Sequence, residues 1–290
     1  MREKNILLSR TIKVLEENGY NVLFYGRCFD MIAKRENKWL IKVLYNLDSF
    51  DENKAKNMRI FSYFMSCYPF LISEISNNGK LEDDLVYFRY NICCGNLNTF
   101  TQIIKNMEFK SFTVKGKHLV KIDIEKMKKI REEKNISLAQ VSSFLKISKK
   151  SLYEIENGLS LPTRETAAKL ENFFGTNLIL GNQVKVPSRE IIKPRSYIDR
   201  KVSYLLERIG IENSSLNINI NLVGKSRERM FIVSKRINKK EEYKIYQLSQ
   251  FLQTFTFYIG KEKTYILSRI PLTKIEKINS IDELKELIGY

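Results

Sequence analysis

Between Ile136 and Gly158 the chain reads ISLAQVSSFLKISKKSLYEIENG, and its apolar spacing admits little besides two short helices folded against each other. Val141 and Leu145 fall four apart, Leu152 and Ile155 three apart, and Ile147 lies between the two pairs. Each run therefore shows one stripe at the helical period, and five side chains close one wedge. Ser137 and Ser148 stand where a hydroxyl accepts first-turn amides, and Asn157-Gly158 ends the second helix with residues that tolerate left-handed backbone angles. Upstream, Met127 and Ile130 share a face of a helix predicted over Ile124 to Glu133; downstream, Pro162 opens another with Ala167, Leu170, Phe173 and Phe174 inward. The spacing thus predicts a helical bundle over about residues 122–175, just large enough to fold alone.

The second helix of the pair offers lysines, a tyrosine and an asparagine to solvent, which suits a DNA major groove. The run REEKNIS, followed by a turn and a helix ending EIENG, resembles the phage-repressor (Cro and cI, or XRE-type) helix-turn-helix domains. That resemblance implies a five-helix bundle over residues 122–180 with Ser148 to Asn157 as recognition helix. By the same resemblance, Lys149 and Lys150 reach phosphates or guanine edges, Ser151 and Tyr153 touch bases or backbone, and Asn157 bonds a phosphate. Ser148, as the cap, leaves a helix N-terminus facing phosphate. Arg131 and Glu156 match the positions where the family pairs an arginine with a glutamate, more a register device than a source of net stability. Two residues depart from the pattern: Ser142 replaces the usual alanine and Lys146 the usual turn glycine, so one must tolerate a hydroxyl and the other a strained backbone.

The net charge of +17 favours a polyanionic partner. It is densest over KVPSREIIKPRSYIDRK, where Lys185, Arg189, Lys193, Arg195, Arg200 and Lys201 outnumber Glu190 and Asp199. Pro187 and Pro194 extend this stretch, expected as a linker over 181–195, and Lys185, Arg189, Lys193 and Arg195 make it a candidate basic arm along phosphates or the minor groove. An interdomain connection with solvated charges is the other reading. No run approaches a membrane helix, and MREKNILLSR is too short in apolar residues for a signal peptide. A cytoplasmic location is expected. Cys28, Cys67, Cys93 and Cys94 lack C-x-x-C spacing and His118 is the only histidine, so neither a zinc site nor any other metal or cofactor is expected.

At 290 residues the chain has room for two or three domains. The pattern predicts an αβ module over 1–108, a β-hairpin turning at Lys115-Gly116 over 109–121, and a second αβ module over 196–290. The two modules run through a similar order: helices at Ile6–Asn18 and Tyr197–Ile209, then strands, then helices at Glu52–Cys67 and Glu241–Thr254. FDMIAKRENKWLIKVL aligns without a gap with INLVGKSRERMFIVSK, as an internal repeat would. In the second module single strands are expected at Ser215–Val223, Arg229–Arg236, Phe257–Gly260 and Tyr265–Ser268.

The strand pair around FDMIAKRENKWLIKVL resembles the core of the PD-(D/E)xK nuclease fold, as in archaeal junction resolvases. That resemblance implies an aspartate opening one strand and an acid-x-lysine on the next, with two carboxylates holding a divalent metal. Asp30 and Lys42 fit, but Leu40 stands where the second acid belongs, and one carboxylate rarely retains Mg²⁺. Glu17 could supply a carboxylate from the helix, and Asp30 could instead pair with Lys42 or Arg27. In the second copy the ungapped alignment puts Asn221 and Val233 at these places. Asp30 and Lys42 therefore read as remnants of an inactive site.

The whole order, αβ module, hairpin, repressor-like bundle, αβ module, resembles a family of archaeal HTH-type transcriptional regulators. The likeness is strongest over RCFDMIAKRENKWLIKVLYNLDS, NGKLEDDLVYFRYNI and the bundle. The expected function is sequence-specific binding of double-stranded DNA, as a homodimer seated on the αβ modules, because Phe61, Tyr63, Phe64 and Phe70 exceed what one module needs inside. The other readings are a structure-selective nuclease or nucleic-acid scaffold, and an adaptor whose αβ modules hold a protein partner.

Overall fold

The computed structural model describes the whole chain except residues 1, 27, 219, 228, 235–237, 261–263, 265 and 290. The chain starts with helix α1 (Arg2–Glu17), strands β1 (Asn21–Phe24), β2 (Met31–Lys34) and β3 (Lys38–Val43), helix α2 (Glu52–Met65) and strand β4 (Tyr68–Ile72). Short strands β5 (Ile75–Ser76) and β6 (Gly79–Lys80) precede β7 (Leu85–Arg89), β8 (Ile92–Gly95), α3 (Leu97–Asn106), β9 (Glu108–Phe109), β10 (Ser111–Val114) and β11 (Lys117–Ile122). Helices α4 (Ile124–Glu133), α5 (Leu138–Leu145), α6 (Lys149–Glu156) and α7 (Arg164–Phe174) follow, then β12 (Ile179–Leu180) and β13 (Asn182–Gln183). The last stretch holds α8 (Tyr197–Arg208), β14 (Glu212–Ser215), β15 (Leu222–Lys225), β16 (Met230–Ser234), α9 (Lys239–Leu252), β17 (Phe255–Tyr258), β18 (Ser268–Arg269), α10 (Leu272–Ile275) and α11 (Ile281–Ile288).

Contacts divide the chain into two units. One gathers residues 1–44, 48–71 and 185–290; the other gathers 45–47 and 72–184. Residues 1–108 are thus shared between them.

In the first unit the same structure is built twice, in sheets ordered β1-β2-β3-β4 and β14-β15-β16-β17-β18. Both copies turn from helix to strand through matching bonds, Tyr20 N–H to Leu15 O at 3.0 Å and Ile211 N–H to Leu206 O at 2.9 Å. Helices α2 and α9 each have 14 residues, an Asx N-cap (Asp51, Asn238) and a left-handed C-cap (Ser66, Gln253). One turn between matching strands differs in length. Three residues separate the pair Lys34–Lys38, but four separate Lys225–Met230. Asn221 N–H accordingly meets Val233 O (3.0 Å), as Asp30 N–H meets Ile41 O (2.9 Å). The structural counterpart of Lys42 is therefore Ser234, not Val233, because the longer turn shifts the ungapped alignment by one residue. The strand expected over Ser215–Val223 is two antiparallel strands, β14 and β15, with Ser215 opposite Leu222; positions 219, 235, 236 and 265 of the expected strands lie outside the described residues.

The two copies pack on each other reciprocally. Asn57 of α2 accepts the Asn217 amide at 2.8 Å, and its counterpart on α9, Lys244, donates to Tyr25 O at 3.1 Å. Lys34, ending β2, donates to Phe251 O at 3.3 Å, while Lys225, ending β15, lies 3.5 Å from the centre of the Tyr63 ring. Such exchange is the signature of an isologous, two-fold-like contact, here closed within one chain. The aromatic side chains expected to seat a homodimer are therefore spoken for. Phe61, Phe64 and Phe70 are wholly buried, and Tyr63 donates to Glu212 Oε2 at 3.3 Å beneath Lys225.

The second unit joins a sheet ordered β8-β7-β10-β11-β12 to the helices α4–α7. Its hairpin turns at Lys115-Gly116, both with positive φ (49° and 75°), and pairs Val114 with Lys117, as a two-residue type I′ turn requires. A second hairpin, β7–β8, turns at Tyr90-Asn91, also at positive φ (48° and 60°).

Candidate nucleic-acid interface

The bundle has four helices, not five. After Gly175 (φ 67°) ends α7, the chain runs extended into β12, which pairs Leu180 with Lys121 and Ile179 with Ile122. Val120, Ile122 and Leu178 join Met127, Val141, Leu145, Leu152, Ile155, Ala167, Leu170 and Phe174 in one core. Two strands thus bury the apolar face that a fifth helix would otherwise cover. The Glu171 carboxylate accepts the amides of Leu178 (2.8 Å) and Ile179 (2.9 Å), which fixes this return.

Each helix of the pair starts where its hydroxyl predicts. Ser137 accepts Gln140 N–H, and Gln140 accepts the Ser137 amide in return, a complete capping box. Ser148 accepts Ser151 N–H at 3.0 Å and caps α6. Lys146 takes the left-handed conformation (φ 55°, ψ 43°) that a turn glycine would supply, and Ile147 N–H returns to Ser142 O at 3.1 Å. Ser142 is buried, but its hydroxyl donates to Ala139 O at 3.1 Å. Both departures from the repressor pattern are accommodated, the hydroxyl at no loss of hydrogen bonding and the lysine at a backbone cost.

Arg131 locks α6 onto α4. Its Nε donates to Glu156 Oε1 at 2.8 Å, its Nη2 lies 2.8 Å from the same oxygen, and its Nη1 donates to Ile136 O at 3.2 Å. Glu156 is 3% exposed, so the pair sits at the edge of the core. Leu152 and Ile155 face inward beside it, which turns Lys149, Lys150, Ser151, Tyr153 and Asn157 outward, all exposed. Asn157 donates one amide hydrogen to Tyr153 O at 2.8 Å, leaving the other for a partner. Leu159 adjoins this surface, 73% exposed; the sequence reading missed it, because an isolated leucine after a helix carries no period.

The basic stretch is not a free arm. Glu190 is held by Arg59, with Nε–Oε2 at 3.0 Å, and by Lys56 at 3.7 Å. Ile192 N–H donates to Ser214 Oγ at 2.8 Å and its carbonyl accepts Ser215 N–H at 2.9 Å, along β14. Arg189 is ion-paired with Glu212. Lys185, Lys193 and Arg195 are exposed.

The nuclease-like remnant is closed. Asp30 Oδ1 accepts from Lys42 at 3.1 Å and Lys4 at 3.4 Å, and Oδ2 accepts Val43 N–H at 2.9 Å. Burial pushes the Lys42 ammonium below the ordinary lysine value, and Asp30 opposes that shift. Leu40 is wholly buried at the second acid position, and Glu17 pairs with Lys13 at 3.8 Å on the surface. Arg27, the other partner considered for Asp30, lies outside the described residues. Among the described residues no three His, Cys, Asp or Glu side chains gather as a metal site. This donor set does not fit a divalent ion: one carboxylate, already engaged by two ammonium groups, offers neither the charge nor the oxygens.

Fold and site together define a DNA-binding type of protein built on nuclease-like modules. The chain carries a PD-(D/E)XK superfamily domain over residues 4–109 and a helix-turn-helix domain over residues 127–180. It is 28% identical to a protein of Pyrococcus abyssi over 96% of its own length and 94% of the relative's, and 26% identical to one of Methanocaldococcus jannaschii over 100% and 96%. Over 62% of the chain and 56% of the relative it is 32% identical to a protein of Methanococcus maripaludis. All three are named as "Putative HTH-type transcriptional regulatory protein". No solved structure gives a significant match. Among the described residues no helix is long and apolar enough to cross a membrane.

Proposed function

We propose that the protein is a sequence-specific, double-stranded DNA-binding regulator of transcription, working in the cytoplasm without a cofactor, that seats α6 in the major groove. The observation that carries the reading is the outward face of α6, held at fixed register by the buried Arg131–Glu156 pair beneath it. Ser148 presents a helix N-terminus to phosphate. Lys149 and Lys150 reach phosphates or guanine edges, Ser151 and Tyr153 bases or backbone, and Asn157 offers its remaining amide hydrogen. Lys185, at the start of the basic stretch, adds sequence-independent attraction to phosphate, Arg189 being already paired.

One such bundle contacts few base pairs, so two chains on a two-fold site, half-sites about one helical turn apart, are the expected complex. The αβ copies pair within the chain, so the second chain is recruited on DNA. Sedimentation with and without an operator duplex tests this; one chain per duplex at micromolar protein would overturn it.

The PD-(D/E)XK module supports the chain rather than cutting DNA. Incubation of Mg²⁺ or Mn²⁺ with junction, flap and duplex substrates is expected to leave them intact, and cuts lost in Asp30→Ala would reverse that reading. For the main claim, the operator is selected from random duplexes and confirmed by genomic footprinting in the host. Lys149→Ala and Lys150→Ala then either each lower the salt slope by about one ion on all sequences, or cost about 1–3 kcal/mol at one base position. No change in either variant would place the DNA elsewhere.

A further inference from the structure

The first unit carries a charged, aromatic surface that the helix-turn-helix reading does not use. On α8, Val202, Ser203, Leu205 and Leu206 are buried. The opposite face exposes Tyr197 (68%), Arg200 and Tyr204 (66%) one helical turn apart. The pinned linker brings Lys193 and Arg195 to the start of this helix, which Ser196 caps. Among the described residues Lys193, Arg195 and Arg200 have no ion pair, whereas Lys201 pairs with Glu276 at 2.5 Å and Arg208 donates to Glu276 O and Ile278 O. Asp199 is engaged by the Ser196 hydroxyl at 2.6 Å, and Glu207 is the exposed acid on this helix.

The repeat supplies a comparison inside the chain. Counting from the matching helix ends, α1 has Ile6 for Tyr197, Ser9 for Arg200 and Lys13 for Tyr204, and Lys13 is spent on Glu17. The same scaffold thus carries unpaired cations flanked by exposed tyrosines in one copy only. Packing does not account for them, since all point away from the core that α8 covers.

We propose that the α8 face, Lys193, Arg195, Tyr197, Arg200 and Tyr204, is a second nucleic-acid contact that grips the phosphate backbone of duplex DNA without reading its sequence. Arginine forks bind phosphate oxygens in pairs, tyrosine hydroxyls donate to them, and the linker's attachment to β14 holds these donors in place before binding. The proposal rests on the DNA-binding reading above but on a different surface, so the two fail separately.

The test uses the full chain and two 30-base-pair duplexes, one with and one without the selected operator, titrated from low to physiological salt. Arg195→Gln with Arg200→Gln is expected to weaken both duplexes about thirtyfold at 0.15 M salt and to lower the salt slope by about two ions, leaving the ratio between duplexes unchanged. Tyr197→Ser with Tyr204→Ser is expected to weaken both without changing the slope. Trp39 fluorescence, reporting the first unit, checks that the variants fold. Lys149→Ala with Lys150→Ala gives the contrast by acting through α6. If that variant weakens binding while the α8 variants do not, the α8 face is not a DNA contact. If the α8 variants weaken binding and the lysine variant does not, the α6 reading fails and the α8 face stands. Tighter binding of single-stranded RNA than duplex, lost in the glutamine variant, would overturn duplex DNA as the partner.

Discussion

Replacing Arg131 should cost far more than the pair it belongs to is worth. The Glu156 side chain is 4% exposed and takes both of its close contacts, each 2.8 Å, from one guanidinium. Arg131→Ala leaves that carboxylate buried and unpaired and also frees Ile136 O from the 3.2 Å bond that ties the α4–α5 loop. The expected loss is about 3–5 kcal/mol, the range for breaking a buried pair by removing one partner. Glu156→Leu should cost less, because the guanidinium, 19% exposed, keeps Ile136 O at 3.2 Å and Glu132 Oε1 at 3.5 Å. The double variant Arg131→Met/Glu156→Leu should nevertheless lie within about 2 kcal/mol of the parent, because desolvating two charges consumes most of what their attraction returns.

Hydrogen exchange of amides in α4, α5 and α6 during a urea titration measures these differences in the right unit. Trp39, in the other unit, gives an internal control by fluorescence. A loss below about 1 kcal/mol in Arg131→Ala would refute the burial argument. A double variant as unstable as either single would refute the claim that the pair serves register rather than net stability. If register is its purpose, the stable double variant should still discriminate its operator from other duplexes less well than the parent.

Three further outcomes follow from the geometry. Lys146→Gly should stabilise the second unit by about 1 kcal/mol, the left-handed angle being easier for glycine, with operator affinity unchanged; a loss of stability in urea would contradict the turn described. Asp30→Ala should destabilise the first unit by about 3–5 kcal/mol because Lys42 stays buried without its carboxylate, while Asp30→Leu/Lys42→Met recovers most of that loss and added Mg²⁺ leaves the parent's melting temperature unmoved. Burial holds the Lys38 ammonium below its ordinary value of 10.5, so between its folded value and 10.5 the unfolded chain binds more protons and stability rises with pH. Lys38→Met should flatten that rise in melts taken across the alkaline range, and an unchanged slope would remove Lys38 as its source.

How far the fold was legible depended on how local its cause was. The helix-turn-helix was legible because apolar period, cap and turn all lie within 23 residues, and Ser137, Ser148 and Gly158 act where their chemistry predicts. The hairpin at Lys115-Gly116 announced itself through glycine, whereas that at Tyr90-Asn91 did not, because tyrosine and asparagine hold the same positive angles without advertising them. The fifth helix was a family expectation, displaced by a pairing between β11 and β12 nearly sixty residues apart in sequence. Phe61, Phe64 and Phe70, read as more than one module needs inside, are buried within the chain. Burial within their own module and the second copy's cover over Tyr63 absorb what a homodimer would have used. Of the candidate site, the α6 face could be named residue by residue, but the pinning of the linker by Glu190 and Ile192 could not, since a Pro-containing basic run looks alike free or docked.

The same comparison gives Asp30 a part in the nuclease-like module that needs no nuclease chemistry. Asp30 fastens two elements through three bonds: α1 through Lys4, and β3 through Lys42 and the Val43 amide. An aspartate with these partners is retained by folding whether or not a metal ever binds, because its removal strands a buried ammonium. The second copy has Asn221 and Ser234 at the corresponding places and is released from that constraint, yet it keeps the backbone bonds of the first and closes the reciprocal interface with it. What the two copies share is therefore the paired platform, one pair per chain and one helix-turn-helix per pair. Because the copies spend their reciprocal faces on each other, the two-fold arrangement of readers proposed above is expected to come from the DNA or from the bundle itself.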